Sequence, residues 1–195
     1  MRDSTPEKLA KLRPAFPMNG KGTLTAANST PLTDGSSAVL LCSEDYARAN
    51  KLPVQATFVD CEVAAVDFVG KKEGLLMAPA YAVPRMLARR GLKLQDFDLY
   101  EIHEAFAAQV LCTLKAWDSD DFCKNRVGVS GKLGQLDRAK MNVKGGSVAL
   151  GHPFGATGGR ILATLGKLLE QKGKGRGLIS ICTGGGMGVT AILER

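Results

Sequence analysis

The chain has 195 residues, 45% of them apolar and 23% charged, the balance of a soluble globular protein with room for a core. No apolar run approaches the roughly 18 to 20 residues that cross a bilayer, the charged stretch Met1 to Lys8 has no apolar signal core, and five cysteines without pattern suit a reducing compartment. A membrane span and a disulfide framework are thus excluded as expectations; the formal charge of +7 fits solvated helix ends or a phosphate-rich ligand, and no aromatic-interleaved basic stripe points to nucleic acid.

Residues 1–20 are charged and punctuated by proline. Asp34-Gly-Ser-Ser then leads into the apolar run Ala38 to Cys42, which predicts a buried strand, and Ser43 is placed to cap a short helix reaching Asn50. These first fifty residues do not read as a complete unit, so a domain is expected over 51–195. Its elements begin with a strand at Val54 to Asp60 and a helix from about Ala82 to Arg90, with Pro84 in the first turn, where a missing N–H costs little. A strand at Phe97 to Ile102 and a helix from His103 or Glu104 to about Ala116 follow. Ile161, Leu162, Leu165, Leu168 and Leu169 mark one face of a helix from about Ala156 to Gln171. The end reads as two strands, Leu178 to Cys182 and Val189 to Leu193, joined by a glycine turn at Gly184. The alternation predicts an α/β protein, a mixed sheet flanked by helices.

Two glycine-rich windows carry the chemistry, Asn142 to Arg160 around His152 and Ile181 to Gly188 around Cys182. Glycine clears backbone for turns or for close approach by another molecule. A thiol and an imidazole are the pair that acid/base and thiolate chemistry use, because modest shifts bring both near neutrality. The first window lacks the Gly-Lys-Ser/Thr ending of a P-loop, and the second leads into a strand rather than a dinucleotide-binding helix, so neither predicts an NTP or NAD site. No Cys or His pair has zinc-finger spacing, and no metal is expected. Each residue also has a structural alternative: a turn histidine for His152, a small buried hydrophobe for Cys182, a helix-start residue for His103.

With Gly22 to Ser37, Glu101-Ile-His103-Glu-Ala-Phe-Ala-Ala-Gln109, Gly151-His-Pro and Cys182-Thr-Gly-Gly-Gly in this order, the chain closely resembles the thiolases, enzymes that make or cleave 3-oxoacyl-coenzyme A thioesters. His103, where many thiolases have Asn, and the segment Asp118 to Lys140 resemble the thiolase subunit of the fatty-acid oxidation multienzyme complex. The resemblance implies a thiolase-like layered fold in which 1–50 is the tail of the N-terminal core domain and 51–195 the C-terminal domain. None of Cys42, Cys61, Cys112 and Cys123 stands in a context like the family's nucleophile, and Cys182 matches its second cysteine. The chain is therefore expected to be a C-terminal half lacking the nucleophile.

By the same resemblance His152 is the base that takes the nucleophile's proton, and Cys182 is the acid/base for the α-carbon. His103 and the Gly184 N–H are oxyanion donors, and Asn28 and Thr30 line the pantetheine channel. The turn chemistry of Asx, Ser and Thr is an equal account of that last pair. Coenzyme A and acyl-coenzyme A are implied as substrates, with no covalently bound cofactor. A homo-oligomer is implied too, with a thiolase N-terminal half or a hydratase/dehydrogenase subunit as further partner. The implied location is the cytoplasm, or the mitochondrial matrix in a eukaryote. The competing expectation is a non-catalytic remnant or coenzyme A-binding assembly module. A ketoacyl synthase would place a second His where Cys182 stands.

Overall fold

Burial of consecutive residues, hence of both faces, along the last two strands organises the molecule. In the computed structural model, which describes residues 4–16, 22–70 and 72–195, strands β1 (Thr57–Ala65), β2 (Leu99–Ile102), β3 (Arg176–Thr183) and β4 (Met187–Glu194) form one mixed sheet in the order β1-β4-β3-β2. β2 runs parallel to β3, and the other pairs are antiparallel. Successive side chains of a strand point to opposite faces. Leu178 and Ile192 accordingly pack on one side with Val83, Met86 and Trp117, while Ile179, Ala191 and Leu193 pack on the other with Ile161, Leu165 and Leu169.

The helices covering those faces are α3 (Ala78–Arg90) and α4 (Ala107–Trp117) on the first side and α6 (Thr157–Lys172) on the second. Two short helices, α1 (Pro6–Ala10) and α2 (Glu44–Ala49), precede the sheet, and a single turn, α5 (Ser147–Leu150), lies before α6. Leu165 is fully buried against β3, worth about 1.5–3 kcal/mol of transfer free energy. Its seat exists because position 177 is glycine: a Cβ there would lie 2.5 Å from a Leu165 methyl. The mixed sheet flanked by helices is the expected α/β class, and Ser43 caps α2, its hydroxyl accepting from the Tyr46 N–H at 3.2 Å.

Several expected elements differ, each for a physical reason. Ala38 to Cys42 forms no strand, and Leu40 and Leu41 are 78% and 70% exposed. A ladder needs a neighbour, and no described residue pairs with this segment. α3 begins at Ala78, four residues before the expected start, with Pro79 in its first turn; Pro84 is therefore mid-helix. There it cannot donate back to the Ala80 carbonyl, and the residue is buried. α4 begins at Ala107 rather than at His103, because His103 to Phe106 bonds elsewhere. The His103 N–H continues the β2–β3 ladder to the Ser180 carbonyl at 2.9 Å, Phe106 bridges Ser29, and the Ala107 N–H reaches the Asn28 carbonyl at 2.9 Å. The first strand pairs over Thr57 to Ala65, later than expected, and Val54 to Ala56 stay outside the ladder. Among the described residues no helix is long and apolar enough to cross a membrane.

Candidate active site

β2 and β3 are the parallel pair, so their C-terminal ends open side by side on one rim of the sheet, where open α/β sheets place their sites. His103 follows the last residue of β2, and Cys182 is near the end of β3. Both line a small cavity of about 10 Å³, with Ser180, Thr113 and Gln109 as its polar walls. That is room for about one water. Ser180 is 1% exposed and its hydroxyl has no protein partner among the described residues, the kind of group that a buried water satisfies.

Asn142 brings the window around His152 to this rim. Its amide copies a strand neighbour: Nδ2 donates to the Ile102 carbonyl at 2.9 Å and Oδ1 accepts from the Ile102 N–H at 2.8 Å. Nδ2 also donates to Glu104 at 2.7 Å, and the other Glu104 oxygen accepts from the Val148 N–H at 3.1 Å, near the start of α5. Asn142 holds φ +48 to do this, a left-handed value that Asn tolerates better than most residues. The chain then passes through α5 and places His152 against Pro31, whose carbonyl accepts its N–H at 2.9 Å.

The two imidazoles meet, with ring centroids 4.4 Å apart and planes inclined by 47°. His152 Nδ1 lies 2.6 Å from the Thr157 hydroxyl, which itself donates to the Pro153 carbonyl at 3.1 Å. That hydroxyl has one proton, so His152 must donate from Nδ1, and its Nε2 carries the free lone pair. Burial, then the charge of Arg160, holds the His152 pKa below the usual range. The ring therefore stays neutral and basic at neutral pH. The Phe154 ring meets His152 in a T-shaped contact, with centroids 4.8 Å apart.

His103 is 3% exposed, with Nδ1 at 2.7 Å from the Ser147 hydroxyl. Burial first, then His152 and Arg160, push its pKa down to about 4. It is a neutral imidazole, a point that its residue type alone leaves open. Cys182 is pushed up to about 11 by burial, offset in part by the N–H groups of Cys182 and Ala105. At neutral pH it is a thiol, able to give a proton rather than attack as thiolate. Behind this group lies Glu101, 4% exposed and pushed up to about 7 by burial and then by Glu104, with Arg160 opposing.

The remaining expected residues sit differently. Gly184 is exposed on the β3–β4 turn, and a Cβ there would meet nothing within 4 Å, so its backbone borders open space. Gly186 is a glycine for internal reasons: a Cβ would lie 2.7 Å from the Val66 carbonyl. Asn28 spends its amide locally, Oδ1 accepting from the Thr25 N–H and Nδ2 donating to the Thr23 carbonyl, both at 2.8 Å. Thr30 donates to the Ser147 carbonyl at 2.8 Å. This segment fastens α5 to the rim. Ser147, Thr157, Arg160 and Asn142, the partners of the two histidines and of β2, were not singled out by sequence. All four lie within the glycine-rich window Asn142 to Arg160 on no periodic pattern, and nothing local marks them. Among the described residues no three His, Cys, Asp or Glu side chains converge as a metal would require.

This geometry has known relatives. Residues 52–195 match the family model of the thiolase C-terminal domain, and residues 1–45 match that of the thiolase N-terminal domain. The chain is 46% identical over 192 residues to a 3-ketoacyl-CoA thiolase of Pectobacterium carotovorum, covering 98% of this chain and 43% of that one. It is 47% identical over 195 residues to a probable 3-ketoacyl-CoA thiolase of Caenorhabditis elegans, covering 100% and 42%. Among solved structures, the Bacillus anthracis acetyl-CoA acetyltransferase superposes with a TM-score of 0.79 at 39% identity, over all of this chain and 43% of that one. The Acat5 thiolase from Ascaris suum in complex with coenzyme A gives 0.76 at 34%, over all of this chain and 45% of that one. The chain thus spans less than half the length of the proteins it matches. With the histidine pair, the buried thiol and both domain models in agreement, the chain belongs to the thiolase family.

Proposed function

We propose that this chain is the C-terminal half of a thiolase, with 1–50 the tail of the N-terminal core domain and 51–195 the C-terminal domain, and that it supplies the acid/base groups of acyl transfer to coenzyme A. The observation that carries this reading is the pair of neutral imidazoles 4.4 Å apart, one of which shares a cavity with the protonated Cys182 thiol. In thiolysis, His152 Nε2 takes the proton of a nucleophilic cysteine supplied outside this sequence. The thiolate adds to the 3-oxo carbonyl of a 3-oxoacyl-coenzyme A, and the C–C bond breaks. The Cys182 thiol protonates the departing α-carbon, releasing acetyl-coenzyme A. His103 and the Gly184 N–H face the oxygens on which charge develops. A second coenzyme A thiol then takes the shortened acyl group, and condensation is the same sequence reversed.

Coenzyme A as substrate is supported by its presence with the Ascaris suum relative. The +7 charge suits its phosphates. Asn28 and Thr30 would border its channel through the segment they brace, not through polar atoms already engaged. A homo-oligomer, a thiolase N-terminal half and a hydratase/dehydrogenase subunit are the proposed partners, in the cytoplasm or the mitochondrial matrix.

Thiolysis of acetoacetyl-coenzyme A by the purified chain, alone and mixed with a thiolase N-terminal half, tests the reading. Activity only in the mixture, lost with His152→Ala and with Cys182→Ala, is expected. No activity in the mixture, with coenzyme A binding retained, would favour a binding or assembly module.

A further inference from the structure

Arg160, in the first turn of α6, holds both histidines through separate partners. Its Nη1 donates to the Gly151 carbonyl at 2.8 Å, one residue before His152, and its Nη2 donates to the Ser147 hydroxyl at 3.0 Å, the group that meets His103 Nδ1. A guanidinium has donors only, in a rigid fork that can span two acceptors.

The consequence follows from counting protons. The Ser147 oxygen accepts from Arg160, and a hydroxyl polarised in this way becomes a better donor along its remaining O–H. The group waiting for that proton is His103 Nδ1. A neutral imidazole that accepts at Nδ1 carries its own proton on Nε2. His152 is set the opposite way by Thr157, with its proton on Nδ1. Two adjacent rings therefore present opposite functions at Nε2, a donor on His103 and an acceptor on His152. An oxyanion donor beside a general base needs this arrangement.

We propose that Arg160 is a positioning residue that sets the Nε2–H tautomer of His103 through Ser147 and fixes His152 beside it through the Gly151 carbonyl. The inference rests on the acid/base reading of the two rings. Its charge acts in the same sense, lowering the pKa of both histidines, while Glu101 and Glu104 are the carboxylates that face this cluster and Cys182 is uncharged beside it.

The sequence contains two histidines, so long-range proton–nitrogen correlation spectra of the 15N-labelled 195-residue chain resolve both rings without ambiguity. The parent chain is expected to show opposite tautomers. In Arg160→Met, the His103 signal should move to a mixture of tautomers, both histidine titration midpoints should rise, and His152 should keep its proton on Nδ1. Arg160→Lys retains charge but cannot span two acceptors: the His103 tautomer should mix while the midpoints stay low, which keeps the test decisive if the Met variant does not fold. Identical tautomers in the parent chain, or an unchanged His103 tautomer in a folded Arg160 variant, would overturn the proposal. The readout is independent of turnover. A chain with opposite tautomers but no complementing activity would defeat the thiolase reading and leave the Arg160 assignment standing.

Discussion

The sheet with its helical covers and the segment 22–50 both carry apolar runs, yet they behave as different kinds of structure. Leu165, Leu178 and Ile192 are fully buried between layers that the same chain supplies, whereas Leu40 and Leu41 are largely exposed among the described residues. Residues 23–37 are held mainly by polar contacts to the rim, such as Thr30 on Ser147 and Ser37 on Ala156. An apolar sequence marks a surface that wants covering; which part of the protein covers it is a separate matter.

Substitutions should separate the two regions sharply. Leu165→Ala should cost about 2–5 kcal/mol in denaturant unfolding, and Leu40→Ser in the same chain should stay within about 0.5 kcal/mol. A comparable loss at Leu40 would show that a neighbour, such as a second copy, already covers it.

The next effect is one of pH, and it belongs to the rim. The folded His103 pKa is lowered from 6.5 to about 4, so its contribution is fully present above pH 6.5 and is lost as pH falls toward 4. The folded Glu101 pKa is raised from 4.5 to about 7, so its contribution is fully present below pH 4.5 and is lost as pH rises toward 7. Each is on the order of 3 kcal/mol, and they oppose each other between pH 4.5 and 6.5. Glu101→Gln should therefore make stability fall more steeply on acidification, and His103→Asn should make it rise. Parallel pH profiles for both variants and the parent would refute the assignment.

Asn142→Ala should cost about 1–3 kcal/mol by unpairing the edge of β2 and forcing a left-handed φ on alanine. Asn142→Gly, measured beside it, should recover the backbone part only. The smallest effect expected is Ser43→Ala at the start of α2, about 1 kcal/mol or less of local stability, visible as faster amide exchange at Tyr46 with the sheet unaffected.

Much of the architecture was legible locally. The 3.6-residue stripe Ile161 to Leu169 became α6, the two apolar runs flanking the glycine turn at Gly184 became β3 and β4, and the Ser43 cap closed α2 as its chemistry required. The candidate residues His103 and Cys182 came together because β2 and β3 are parallel neighbours, a pairing that the strand–helix alternation left open. The start of α4 was not legible, because the bonds that replace its first helical turn come from Ser29 and Asn28, far away in sequence. Pro84 was misplaced because the local rule, a proline in the first helical turn, is satisfied instead by Pro79, the second residue of α3.

The order of the motifs, the hydrophobic periods and the identity of the chemical groups were determined by sequence alone, since each is a property of neighbouring residues. The charge states and proton positions were decided only by the tertiary structure. A buried imidazole takes its pKa from the dielectric around it and its tautomer from whichever donor or acceptor packs against it. For His103 those are Ser147 and Arg160, residues that reach it only once α5 and α6 have docked on the rim of the sheet.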